Sequence, residues 1–218
     1  MRDQRERLDP KHTCLLFFDT SNVFVNGPTL DPQARSPLVT DAVANWRRQL
    51  AKARELKMMV VYGLTAHRPD GENYFARLTD TDMGSVPYPE GSGRQQLGRT
   101  IIGRSEITAI EEIPPSPEDY FFWKPRWSPF HQTALELSLR GRGVDTVIVN
   151  GGSIEIGIAA TVYAAQALDF DVVVVSDGCT SRHQDCQEVF MTKVFPRIGR
   201  VRTTAQVLRM LEGTRGSL

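Results

Sequence analysis

A chain of 218 residues suits one domain, or one domain carrying a long insertion, and at that size about 70% of the surface of the unfolded chain can be buried. Its 26 Lys and Arg balance 26 Asp and Glu, so no net field draws it to nucleic acid or to an anionic bilayer, and no apolar run reaches the roughly 20 residues that a membrane helix needs. A small-molecule substrate or another protein chain remains as partner. The three cysteines, Cys14, Cys179 and Cys186, form no CxxC pair and no disulfide framework. The charged start MRDQRERLDPKH has no apolar stretch of the kind that a secretory leader carries. The expectation is a cytoplasmic protein with no metal and no cofactor.

Residues 1–12 read as a polar arm ahead of one domain over 13–218. TCLLFF (13–18) is an unbroken apolar run that ends on Asp19, as suits a strand buried on both faces. Ser36-Pro37 reads as an N-cap followed by proline at the first helical position, and Leu38, Val39, Ala42, Val43, Trp46, Leu50 and Ala53 then recur at helical spacing. MMVVYG (58–63) is a second strand. Residues 64–112 hold His67, Arg68-Pro69-Asp70-Gly71, Pro87, Pro89 and Gly91-Ser92-Gly93 with little periodicity, and read as a long insertion serving as a lid or an oligomer contact.

DYFFWK (119–124) is a third strand, closing on Lys124. Ser128-Pro129 reads as the start of a helix that stops at Gly141/Gly143. DTVIVN (145–150) is a fourth strand. Gly151-Gly152-Ser153 turns the chain into a helix over about 155–168, VVVVS (172–176) is a fifth strand, and a helix follows from about Ser181. RVRTT and AQVLRML supply a last strand and helix. Strands alternating with helices predict an α/β fold, a three-layer, doubly wound and mainly parallel six-stranded sheet with right-handed crossovers.

Ligands of such sheets bind beyond the carboxyl ends of the strands. Asp19 and Lys124 stand there, each closing an apolar run, and Gly157 lies in the first turn of the helix after the fourth strand. By pattern alone, Asp19 could equally be a turn or capping aspartate and Lys124 a lysine reaching for solvent.

FFDTSNVF resembles the first motif of the isochorismatase-like hydrolases, an aspartate at the end of strand one with an aromatic, Phe24, five residues on. WKPRWSPFHQTALELSLRGRGVDTVIVNG is similar to their second and third motifs, with Ser128, Phe130 and Thr133 at family spacing after the lysine. GGSIEIGIAATVYAAQALDFDVVVVSDGCTS resembles their loop-and-helix segment, and RVRTTAQVL their tail. The resemblance implies a Rossmann-like hydrolase of the cysteine hydrolase superfamily, assembled as a homodimer or homotetramer. Asp19 would be the acid/base and Lys124 its electrostatic partner. Phe24, His67, Trp127, Gly152, Ser153 and Ile156 would contact substrate, and the Gly152–Ser153 bond would be a cis peptide.

The same resemblance places Gly157 where most relatives carry a nucleophilic cysteine at a helix N-terminus. Glycine cannot be acylated, so the expectation is a hydrolase without a cysteine nucleophile and with open room at position 157. Isochorismatases with glycine there cleave a vinyl ether without a covalent intermediate: the aspartic acid protonates the enol-ether carbon and water attacks the oxocarbenium. Such an acid needs an apolar site to keep its proton, which Leu15 through Phe18, Phe24 and Trp127 could supply, while Lys124 would pull the other way. Ser153 stands where isochorismatases place a tyrosine, so a different, anionic substrate is implied, with Arg68, Arg77, Arg94, Arg99 and Arg126 as candidates to grip it. Two alternatives stay open: a non-catalytic ligand- or partner-binding relative of the nicotinamidase and N-carbamoyl amidase type, or an amidase whose cysteine has moved, with Cys14 and Cys179 to consider. GGSIEIG is not a GxGxxG fingerprint, and His67 with Asp70 is too few ligands for a metal.

Overall fold

The computed structural model describes residues 4–27, 29–70, 73 and 100–213. Six strands form one sheet: β1 (Thr13–Phe18), β2 (Met59–Thr65), β3 (Tyr120–Lys124), β4 (Thr146–Gly152), β5 (Asp171–Thr180) and β6 (Arg200–Arg202). Their order is β3-β2-β1-β4-β5-β6, and every pairing is parallel. The helices are a single turn α1 (Asn22–Val25), α2 (Pro37–Glu55), α3 (Leu135–Gly141), α4 (Ala159–Ala167), α5 (Gln184–Val189) and α6 (Thr204–Glu212). The result is the expected three-layer α/β/α architecture.

Period-two geometry divides the strands between two cores. Leu15 and Phe17 of β1 join Val60, Tyr62, Ile148, Val173 and Val175 against α2 and α6. Cys14, Leu16 and Phe18 face the other way, with Met59, Val61, Val147, Val149, Val172 and Val174, against α3 and α4. Both faces of the central strands are covered, which is why they read as unbroken apolar runs rather than alternating ones.

Helix α2 begins as expected, with the Ser36 side chain accepting from Val39 N and Pro37 at the first position. Its Trp46 and Gln49 reach across to the far end of the sheet, Trp46 Nε1 donating to Gly178 O at 2.6 Å and Gln49 exchanging hydrogen bonds with Asn150. Three elements depart from the sequence reading. Ser128-Pro129 opens a turn, not a helix: Gln132 has a left-handed φ of 54° that interrupts any helix, and Thr133 Oγ1 accepts from Leu135 N where α3 starts. The helix expected from about 155 begins as a π-helical turn over Ile154–Ile158 before α4. The arm is not wholly polar in its packing, because Leu8 is buried and its N–H donates to Met210 O.

The end of the insertion is also tied down. His67 and Ile101 form a parallel bridge and Ser21 and Ala109 an antiparallel one, while Ile107, Ile110 and Ile113 are buried. The middle of the expected lid, with Arg77, Arg94 and Arg99, lies outside the described residues.

Candidate active site

The strand order reverses direction between β1 and β4: the chain moves outward from β1 to β2 to β3, then returns to the other side of β1. A crevice at the carboxyl edge forms at such a switch point. Asp19 leaves β1 there with a left-handed φ of 49°, a conformation that aspartate tolerates better than most residues. Beside it, Gly151 has φ 125°, and a Cβ on it would lie 1.9 Å from Phe18 O, so only glycine allows the end of β4 to pass this close to β1.

Lys124 closes β3, two strands from β1, and is 1% exposed. It shares the parity of Tyr120 and Phe122, which pack on the α3/α4 core, so its side chain runs on the same face as Phe18. Its Nζ donates to Asp19 Oδ2 at 2.9 Å, to Thr65 Oγ1 at 2.6 Å and to Arg126 O at 3.4 Å, and lies 4.0 Å from the Phe18 ring centroid. Burial pushes its pKa down, against the pull of Asp19. Asp19 also accepts from Thr65 N at 2.7 Å through Oδ1 and from Thr65 Oγ1 at 3.0 Å through Oδ2. The buried Asp19–Lys124 bridge supports a catalytic Asp/Lys pair. Thr65, unnoticed in the sequence, joins the two; the signal for it was there, because it closes the apolar run of β2 as Asp19 and Lys124 close theirs.

His67 is brought to the same edge. It is buried, its backbone N–H donates to Thr100 O, and its pKa falls to about 4 through burial, then the positive charges of Arg126 and Lys124. Imidazole here is neutral at neutral pH. Arg126 donates to Asn73 O and Pro125 O. The Arg68 side chain pairs with Asp70, and its backbone N–H donates to Oδ1 of the same Asn73 that accepts from Arg126. No cluster of three potential metal ligands occurs among the described residues.

The remaining expected contacts are less tightly drawn in. The Gly152–Ser153 peptide is cis, as the resemblance implies. Gly152, Ser153 and Ile156 are half-buried around the π-helical turn. Of the residues expected to supply apolar surface, Phe18 lies against the ammonium, whereas Phe24 and Trp127 are 45% and 53% exposed.

The reading of Gly157 requires correction. A Cβ on it would fall 2.2 Å from Phe18 Cζ and 2.3 Å from Cε1, so the ring fills the space expected to be open, and position 157 is not a vacated seat for a nucleophile. The buried cysteine to be weighed as the family's nucleophile is Cys14. Cys14 pairs with Met59 and Val147 at the start of the sheet, five residues before Asp19 and roughly 16 Å along the strand, and burial pushes its thiol pKa up. The thiol of Cys179 is pushed up to about 12 for the same reason.

The chain is 36% identical over 88 residues to the isochorismatase family protein YecD of Escherichia coli O157:H7, a match that takes in 40% of this chain and spans about half of that protein, 47%. Among solved structures it is similar to an isochorismatase family protein from Burkholderia thailandensis, with 28% identity, a TM-score of 0.77 and 94% and 98% of the two chains covered. A cysteine hydrolase from Pseudomonas syringae pv. phaseolicola superposes with a TM-score of 0.77 at 25% identity, covering 94% and 95%. The isochorismatase domain model matches residues 13–206, from the first residue of β1 into α6, taking in Asp19, Thr65 and Lys124 alike; the chain belongs to the isochorismatase family.

Proposed function

We propose that this protein hydrolyses a small anionic metabolite by proton transfer at Asp19, with Lys124 as electrostatic partner and without a cysteine nucleophile. The observation that carries the reading is the buried Asp19–Lys124 bridge at the sheet's switch point. Similarity to isochorismatase-family proteins and to a named cysteine hydrolase supports hydrolysis as the reaction class. Arg126, whose positive charge acts on His67 at this edge, is the cation placed to meet a carboxylate-bearing substrate, since Lys124 is paired with Asp19. The buried thiols of Cys14 and Cys179 are held protonated, and a protonated thiol is a poor nucleophile. Vinyl-ether cleavage, or another reaction in which water attacks a protonated substrate, fits an acid with no acylated intermediate. A homodimer or homotetramer in a reducing cytoplasm is part of the same proposal.

The test is a turnover screen over small vinyl ethers, N-carbamoyl compounds and amides, run with the unmodified protein, with Asp19→Asn, with Cys14→Ala and after iodoacetamide. Asp19→Asn, assayed at a temperature where circular dichroism shows it still folded, abolishes hydrolysis, whereas Cys14→Ala and alkylation leave it unchanged. Mass spectrometry finds the label on Cys186, the half-buried thiol, and not on the two buried ones. Loss of activity with Cys14→Ala or on alkylation would establish a thiol mechanism in its place.

A further inference from the structure

We propose that Thr65 is a positioning residue that decides which oxygen of Asp19 exchanges a proton with the substrate, an inference that rests on the acid/base role given to Asp19 above. The numbers of donors and acceptors at the site fix the arrangement. An ammonium has three N–H donors and no acceptor, and a hydroxyl has one hydrogen. Lys124 therefore donates to Thr65 Oγ1, and the single hydrogen of Thr65 is left for Asp19 Oδ2, 3.0 Å away. Oδ2 then receives two hydrogen bonds, from Lys124 Nζ and from Thr65 Oγ1, which uses both of its lone-pair directions. Oδ1 receives one among the described residues, from Thr65 N. The three donors of Lys124 go to Asp19, Thr65 and Arg126 O, with its remaining face against Phe18.

The consequence is a division of labour within one carboxyl group. Oδ2 is anchored, and Oδ1 keeps the lone pair that can carry a transferable proton. A proton taken up from solvent onto Oδ1 passes to the substrate, water adds to the resulting cation, and the surplus proton of that water returns to Oδ1 for the next turnover. Lys124 keeps its charge throughout, holding Oδ2 rather than the substrate. Thr65 can do this because β2 lies between β1 and β3: its Cα is in register with Lys124, and Gly63, two residues back, takes the Asp19 N–H.

Thr65→Val keeps the shape and the backbone N–H bond to Oδ1 and removes only the hydroxyl; Thr65→Ser returns it, and Thr65→Ala serves if the valine variant does not fold. Lys124 is followed by NMR pH titration of protein labelled with 13C at lysine Cε, and the pH profile of kcat is measured on whichever vinyl ether, carbamoyl compound or amide is turned over. Removing an acceptor from a buried ammonium lowers its pKa further. The Lys124 signal therefore titrates at lower pH in Thr65→Val, kcat falls about tenfold to a hundredfold with the alkaline limb of the profile displaced downward, and both return in Thr65→Ser. A valine variant with the wild-type titration and profile, or a loss that serine does not restore, overturns the inference while leaving Asp19 in its role. Turnover surviving in Asp19→Asn would instead sink the acid/base role of Asp19 beneath it.

Discussion

The ring of Phe18 meets Gly157 with its tip and Lys124 with its face. A Cβ on residue 157 would come within 2.2 Å of Phe18 Cζ, and the Lys124 ammonium lies 4.0 Å from the ring centroid. One buried side chain thus sets the size limit at the start of the α4 segment and supplies the apolar, quadrupolar surface beneath the site's cation. Phe18 has little freedom to yield, because it is 1% exposed and packed in the α3/α4 core.

Enlarging residue 157 should therefore be destabilising unless Phe18 shrinks with it. Gly157→Ala, and Gly157→Cys more so, overpack the site at a cost of about 1–3 kcal/mol, which for a chain of this size lowers Tm by several degrees. In a double-mutant cycle of Phe18→Val with Gly157→Ala, the double variant should be more stable than the sum of the singles by about 1 kcal/mol or more. Thermal unfolding of the four proteins measures it, and strict additivity would show that the two side chains do not compete for the same space.

How much of this was open to sequence reasoning differs by element. Strands β1, β2, β4 and β5 were legible because burial on both faces leaves unbroken apolar runs, β3 because its run of aromatics stands out even on a half-buried edge strand, and Asp19 and Lys124 were legible as polar residues closing two of these runs. Thr65 closes a third, yet a hydroxyl at a strand end is an ordinary sight, and only its three hydrogen bonds to Asp19 and Lys124 give it meaning. Ser128-Pro129 misled because cap and N1 proline can also begin a turn, and the left-handed Gln132 that prevents a helix leaves no mark in residue type. Position 157 was misread because family spacing reports where a backbone atom sits, whereas the occupant of the space beside it, Phe18, comes from the end of β1, far away in sequence.

Breaking the Asp19–Lys124 bridge from one side should cost more than removing it whole. Side-chain exposures of 9% and 1% put it in the buried class, where loss of one partner leaves an uncompensated charge. Lys124→Met is expected to lose about 3–5 kcal/mol of stability, and the double variant Asp19→Asn/Lys124→Met to regain most of that loss, since two neutral groups leave no charge to desolvate. Urea unfolding gives both numbers. If Lys124→Met unfolds within about 0.5 kcal/mol of the wild type, the pair behaves as a solvated one and its hold on the Asp19 carboxylate is weak.

His67 should make the fold sensitive to mild acid. Its pKa falls from 6.5 to about 4 in the folded protein, because burial and the charges of Arg126 and Lys124 all oppose a cation there. Between those two values the unfolded chain binds a proton that the folded chain refuses, so stability rises with pH across the interval and is lost as pH falls from 6.5 towards 4. With solvent screening allowed for, the effect is of the order of 1–2 kcal/mol. Denaturant midpoints at pH 7 and pH 4.5 should separate more in the wild type than in His67→Gln, whose side chain does not titrate. Equal separations in the two proteins would place the acid sensitivity elsewhere and would mean that His67 takes up its proton in the folded state as readily as in the unfolded one.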